Sequence, residues 1–244
     1  MMYDLSRIKA LNNCTGGYSK NSKLASPVIK REMSDKLLPP SGPGRPKDLT
    51  KRAAILDAAK NLFLRLGYDG CSMDAIAAEA GVSKLTVYSH FTDKETLFSM
   101  AVRAKCEEQL PLVIFELLET APIDTVLLNI AKAFHCLVSS RESIELHRVM
   151  IALGASDPKL AKLFYESGPQ VVHEEMTGLL QRADQLGKLQ IENPELAAEH
   201  FLCLLKGGIN FRLLIGCNAE DDIFSSEEQI ADAVQMFVRA YLPR

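Results

Sequence analysis

Gly81 separates two apolar stretches that are each too short to fold alone, and this spacing constrains the chain more than any other feature. Before it, "SMDAIAAEA" supplies Ser72 as a helix N-cap and places Ile76, Ala77 and Ala80 on a short helix. After it, Ser83 caps a second short helix carrying Val87. Isolated helices of this length are marginal in water, so the pair must pack. Ala77 is small enough to let the two helices approach, Gly81 four positions later takes the turn, and Val82 and Val87 close a miniature core. Two short helices around a glycine-centred turn form a helix-turn-helix. A longer amphipathic helix precedes them: in "LTKRAAILDAAKNLFLRLGY", Ile55, Ala59, Leu62, Phe63 and Leu66 recur on one face, and Gly67 supplies the stop.

The outward face of the second short helix carries the functional signal. With Val87 inward, the 100° step of a helix turns Phe91 inward as well and points Leu85 and Ser89 away, flanked by Thr86 and Tyr88. A helix in an ordinary small bundle would solubilise that face with charge. Short polar groups and a tyrosine suit a nucleic-acid groove. The next segment, "TDKE", has the form of a capping box, with Thr92 as N-cap and Glu95 reaching back. Lys94 then falls in a first helical turn, where the macrodipole disfavours a cation, as do Lys51 and Arg52 at the start of the longer helix. Cations at two helix starts imply an external anion at both, such as a backbone phosphate.

Charge distribution agrees with that reading. The 244-residue chain carries a formal charge of −3, yet residues 1–65 hold 13 Lys and Arg against 5 Asp and Glu. A basic end on an acidic body suggests one face for a polyanion and another for something else. In "GPGRPK", Arg45 and Lys47 sit on a proline-stiffened segment that fits either a minor-groove arm or a plain charged linker.

Residues 55–98, "ILDAAKNLFLRLGYDGCSMDAIAAEAGVSKLTVYSHFTDKETLF", resemble the DNA-binding signature of the TetR/AcrR transcriptional regulators. The resemblance implies an all-α dimer, with a three-helix N-terminal DNA-binding domain and a larger helical C-terminal domain that binds a small effector. It places Ser83, Lys84, Thr86, Tyr88, Ser89, His90 and Lys94 at the DNA, with Tyr88, His90 and Lys94 on phosphates. Leu85 departs from the small residue often found at its position. With Ser72, Lys51, Arg45 and Lys47, these residues make up the candidate DNA-binding set.

The remainder divides into a tail and a second helical domain. Residues 1–44 are rich in Gly, Ser, Asn and Pro without periodicity and read as a flexible tail, with Met33 a candidate alternative start. The DNA-binding domain is expected over 45–98 and the effector-binding and dimerisation domain over 99–244. Asp157–Pro158 and Asn193–Pro194 are N-cap plus N1 pairs, and Ser225 with Glu228 is a further capping box. Ile230, Val234, Phe237 and Tyr241 line the last helix, and Ala231 and Val238 widen its apolar surface. The helix before it carries Leu196, Phe201, Leu204, Leu205, Phe211, Leu214 and Ile215, with Gly207 and Gly208 allowing close approach. Stripes this wide predict a homodimer through the last two helices, presenting two reading helices to a pseudo-palindromic, double-stranded operator.

Candidate effector-lining residues are Phe115, Phe134, His135, His147, Met150, Phe164, Tyr165, His173 and Met176. The stretch "LHRVMIALGASDPKLAKLFYESGP" resembles the C-terminal domain of AefR-type regulators, a subgroup that includes repressors of multidrug efflux operons. That resemblance implies an apolar or amphipathic small-molecule effector. The six scattered cysteines form no zinc-spaced cluster and read as buried reduced thiols of a cytoplasmic protein. No metal or cofactor is expected. No apolar run reaches the roughly 20 residues that span a bilayer, and the N-terminus lacks a signal-peptide core. Enzymatic activity is the rival class. His135 and Cys136 are adjacent on a helix and point about 100° apart, so they form no nucleophile–base pair.

Overall fold

The computed structural model describes residues 48–217 and 226–243, and within it Leu49–Arg244 forms one compact unit. Ten α-helices and no strand occur among the described residues: α1 (Leu49–Leu66), α2 (Met73–Glu79), α3 (Lys84–His90), α4 (Lys94–Gln109), α5 (Ile123–Ser139), α6 (Arg141–Leu153), α7 (Pro158–Ser167), α8 (Pro169–Gln185), α9 (Pro194–Ile215) and α10 (Ser226–Tyr241). The expected all-α class holds. The tail over 1–44, the Arg45–Lys47 arm and Ser225 lie outside the described residues.

The first three helices pack around one apolar centre. Ile55, Ala59, Leu62 and Phe63 of α1 meet Ile76 and Ala77 of α2 and Val87 of α3, with Phe91, Leu97 and Phe98 closing the cluster. Leu66 is the exception on the α1 stripe and lies 49% exposed at the helix end. Ser72 and Ser83 cap their helices as expected, accepting from the backbone N–H of Ala75 and Thr86. Gly81 holds φ +65°, a left-handed conformation that a side chain would strain, which explains glycine at the turn.

The start of α4 corrects the capping box read from sequence. Asp93, not Thr92, is the N-cap: its Oδ1 accepts from Thr96 N at 2.7 Å. Glu95 instead reaches sideways to Lys159 on α7 at 2.7 Å. A carboxylate is therefore already present at this helix start, where the macrodipole favours it.

α4 runs through the expected 98/99 domain boundary and joins the two ends of the fold. Its Leu97, Phe98, Ala101 and Val102 belong to the same buried cluster as α1–α3, which also takes in Met150 of α6 and Leu160 of α7. The rest of the chain packs α8 against α9 and lays α5 against α9 and α10. Asp157 and Asn193 cap α7 and α9, accepting from Leu160 N and Leu196 N. Each is followed by proline in the first turn, where its missing N–H costs nothing.

Two expectations about the last helices change. Gly207 adopts φ +49° and breaks α9 into two helical parts, so it bends the helix as well as leaving it bare. The stripe Ile230, Val234 and Phe237 is buried within the chain, as are Phe201 and Leu205, with Phe201 and Phe237 in ring contact at 4.9 Å. Ala231 is exposed, and Val238 and Tyr241 are half-buried. What remains open is a smaller apolar set: Leu196, Leu204, Phe211, Ile215 and Met236.

Candidate nucleic-acid interface and effector cavity

The reading helix α3 is anchored by one face and open on the other. Val87 is fully buried and Phe91 is 2% exposed, whereas Leu85 is 80% and Tyr88 44% exposed. Ser89 is exposed beside them and Thr86 is half-buried. Ser83 Oγ lies 2.8 Å from Thr86 Oγ1, and Ser89 Oγ donates to Thr86 O at 2.7 Å. These bonds hold the short polar side chains against the helix, leaving Leu85 and Tyr88 as its projecting groups.

The cations around α3 are mostly engaged. Lys84 pairs with Asp74 at 2.9 Å, but both side chains are largely exposed, so a phosphate can compete for the ammonium. The Arg52 guanidinium stands 5.1 Å from the centre of the Phe91 ring and braces the end of α3. Lys51 is exposed on the first turn of α1, and Ser72, besides capping α2, is exposed. His90 is half-buried, and its Nδ1 is buried without a hydrogen-bond partner among the described residues.

Lys94 answers the dipole argument in a different way from the one the sequence suggested. Its Nζ donates to Tyr68 O at 2.9 Å and Cys71 O at 3.1 Å, and it lies 4.1 Å from the Tyr68 ring centre. Two carbonyls and an aromatic face stabilise the charge from inside the fold, so its place in the first turn does not require an external anion. Burial, reinforced by the carboxylate of Glu95, pushes the Tyr68 hydroxyl up to about 12. Tyr68 is therefore a neutral ring at physiological pH. An ammonium has three protons, and two of those on Lys94 are taken by the carbonyls.

A cavity of about 170 Å³ opens between α4, α5, α6, α7, α8 and α9. Of the residues expected at an effector site, Phe134, His147, Phe164, Tyr165 and His173 line it. Phe115, His135, Met150 and Met176 do not: Phe115 and Met176 are core residues, and Met150 belongs to the cluster beneath α1–α4. Sequence reasoning missed Lys105, Cys106, Ser143, Glu199 and Lys206, which also line the cavity. Polar residues on helices read as solvated faces, and only the packing of six helices shows which turn toward a shared space.

One cavity histidine, His147, is shifted toward its neutral form. His147 Nδ1 lies 2.6 Å from Ser143 O, and because a carbonyl only accepts, that nitrogen carries the proton and leaves Nε2 as an acceptor. Burial pushes the His147 pKa down, and the nearby Lys206 charge adds to this against the raising effect of the Ser143 bond. Its ring meets Phe164 edge-on at 5.4 Å. Burial likewise lowers His135. Of the free cysteines, Cys71 is buried, but Cys203 and Cys217 are exposed, so the expectation of buried thiols fails for those two.

Described residues that are helical throughout their regular elements, with this three-helix head on an α4 that continues into a cavity-bearing helical body, have the architecture of a DNA-binding regulator. Residues 55–101 match the family described as bacterial regulatory proteins of the tetR family. Residues 125–243 match the AefR-like transcriptional repressor C-terminal domain. The helix-turn-helix type transcriptional regulator YdeS of Bacillus subtilis strain 168 is 32% identical over 181 residues, covering 74% of this chain and 87% of that protein. A TetR-family regulator from Mesorhizobium loti MAFF303099 is 29% identical and superposes with a TM-score of 0.67, covering 82% of this chain and all of the other. The flavonoid-responsive regulator FrrA, 31% identical, gives a TM-score of 0.64 over 81% of this chain and 100% of its own. The chain belongs to the TetR family of transcriptional regulators, with repressors among its relatives. No described helix is long and apolar enough to cross a membrane.

Proposed function

We propose that this protein is an effector-released repressor. It would act in the cytoplasm as a homodimer that sets the outward face of α3 into the major groove of a pseudo-palindromic operator. The observation that carries this reading is the split of α3 into a sealed face, Val87 and Phe91, and an open one, Leu85, Tyr88 and Ser89. Ser83, Lys84, Thr86 and His90 flank that face, with Lys51, Ser72 and Lys94 toward the backbone phosphates; Arg45 and Lys47, which lie outside the described residues, would serve as a minor-groove arm. The exposed apolar residues of α9 and α10, two of which, Leu204 and Met236, line a shallow groove with Gly207, support dimerisation through these helices.

The cavity supports release by a small molecule. α7 serves both ends: its Phe164 and Tyr165 line the cavity, while Leu160 is buried with α1–α4 and Leu163 packs beside it. Lys159–Glu95 and the Ser167–Ser99 hydroxyl bond at 2.9 Å tie α7 to α4. A ligand that prefers a different seating of α7 changes how α4 carries the head, and a coupling of about 1–3 kcal/mol lowers operator affinity 5- to 150-fold. FrrA is a flavonoid-responsive regulator, in keeping with a small-molecule effector here, and the AefR-like domain is in keeping with control of an efflux operon. Mapping the purified protein on genomic DNA fragments tests the reading: discrete, salt-sensitive sites near its own promoter support it, and uniform weak binding refutes it.

A further inference from the structure

Two cavities meet at one lysine. The second, of about 200 Å³, lies against α1 and shares Val102, Lys105, Ser143 and Leu146 with the effector cavity. Lys105 thus fronts both spaces. Its side chain is only 22% exposed, and its nearest carboxylate, Glu142 Oε2, stands 3.8 Å away, too far for a hydrogen bond. Among the described residues no other carboxylate pairs with it. Lys60, equally shielded at 23% exposure in the wall of the second cavity, differs in kind: Asp57 holds it at 2.8 Å and Glu108 at 3.5 Å. A half-shielded cation whose one carboxylate neighbour stands beyond hydrogen-bond distance can take a closer oxyanion, and a ligand carboxylate supplies one.

We infer that the effector is a small apolar carboxylic acid whose carboxylate binds Lys105 Nζ and whose body lies against Phe134, Leu137, Phe164 and Leu202. This rests on the reading of the cavity as the effector site. Volume bounds the ligand, since a cavity of about 150 Å³ holds one benzene; a single ring bearing a carboxylate fits here. Charge agrees: Lys206 is a second lining cation, while the lining carboxylate Glu199 is engaged by the Cys203 thiol at 3.4 Å and faces His173 at 3.8 Å. Glu142, whose side chain is 51% exposed, yields Lys105 by turning to solvent. The anchor also lies on α4, the helix that carries Leu97, Phe98 and Ala101 into the head, so the ligand's charged end acts on the element that positions α3.

The test is calorimetric titration of the full chain with benzoate and with benzamide, which share a shape and differ in charge, repeated on Lys105→Met and Lys105→Arg. The wild type is expected to prefer benzoate by about tenfold or more. In Lys105→Met the preference disappears while benzamide affinity stays within about threefold, which also shows that the variant has kept its cavity; Lys105→Arg retains the preference. Equal affinity for both probes in the wild type, or a preference that survives Lys105→Met, overturns the carboxylate assignment and leaves the cavity as a binding site. Binding of neither probe overturns the reading of the cavity itself, and this inference with it.

Discussion

The three-helix head and the six-helix cavity, the proposed DNA and effector sites, are built from the same kind of amphipathic helix, yet they encode their candidate sites differently. In the head, the working face of α3 is the complement of its buried face within one seven-residue segment: fixing Val87 and Phe91 inward sends Leu85 and Ser89 outward. In the cavity, Phe134, His147, Phe164 and His173 come from four helices, and nothing within any one helix says that they meet. A site carried by a single element is decided by helical geometry. A site shared among elements is decided by how their axes pack.

The sharpest break of this comparison comes from removing an anchor at each end. Phe91→Ala, at the close of α3, should cost about 3–5 kcal/mol of stability in urea denaturation, and Met176→Ala, in the core away from the cavity, about 2–5 kcal/mol. Their functional effects should differ. Phe91→Ala should abolish operator binding even under conditions that keep the body folded, because Arg52 loses its ring and α3 its seat. Met176→Ala should leave the effector response intact in the folded fraction; loss of that response would return Met176 to the site.

Lys94→Ala separates two roles within the head. Losing the donor to Tyr68 O and Cys71 O should cost about 1–3 kcal/mol in thermal or urea unfolding. If its third proton also reaches a phosphate, the slope of log K against log salt should flatten by about one ion. Lower stability with an unchanged slope would make Lys94 purely a brace of the α1–α2 connection.

Leu85→Ala should have a smaller and more selective effect. A projecting leucine can pack on a thymine methyl, so its truncation should change relative affinity at one operator position by about tenfold or less. Equal losses across a panel of single-base operator variants would show that Leu85 does not read sequence.

The smallest expected effect is a pH dependence at the start of α4. Hydrogen bonds from the backbone of Thr96 hold the Asp93 carboxyl below its usual value of 3.8. Its contribution is therefore complete above that unfolded value and is lost as pH falls through the lower folded one. Asp93→Asn keeps a good N-cap but cannot titrate, so melting curves between about pH 5 and 2 should fall less steeply for the variant. Parallel curves would assign the acid sensitivity to other groups.

The sequence by itself determined the helices, the turn at Gly81, the caps at Ser72, Ser83, Asp157 and Asn193, and the open face of α3. All of these depend on interactions within a few residues, which spacing and capping chemistry expose. Tertiary structure alone decided the rest. It drew Glu95 to Lys159, 64 residues away, and gave Lys94 two carbonyls from the α1–α2 connection 23 and 26 residues away. It spent the Ile230–Phe237 stripe on the chain's own core and set Lys105 where two cavities meet. The physical reason is common to all four: a side chain long or apolar enough to choose among partners takes the one that packing brings within reach, and its own helix does not contain that information.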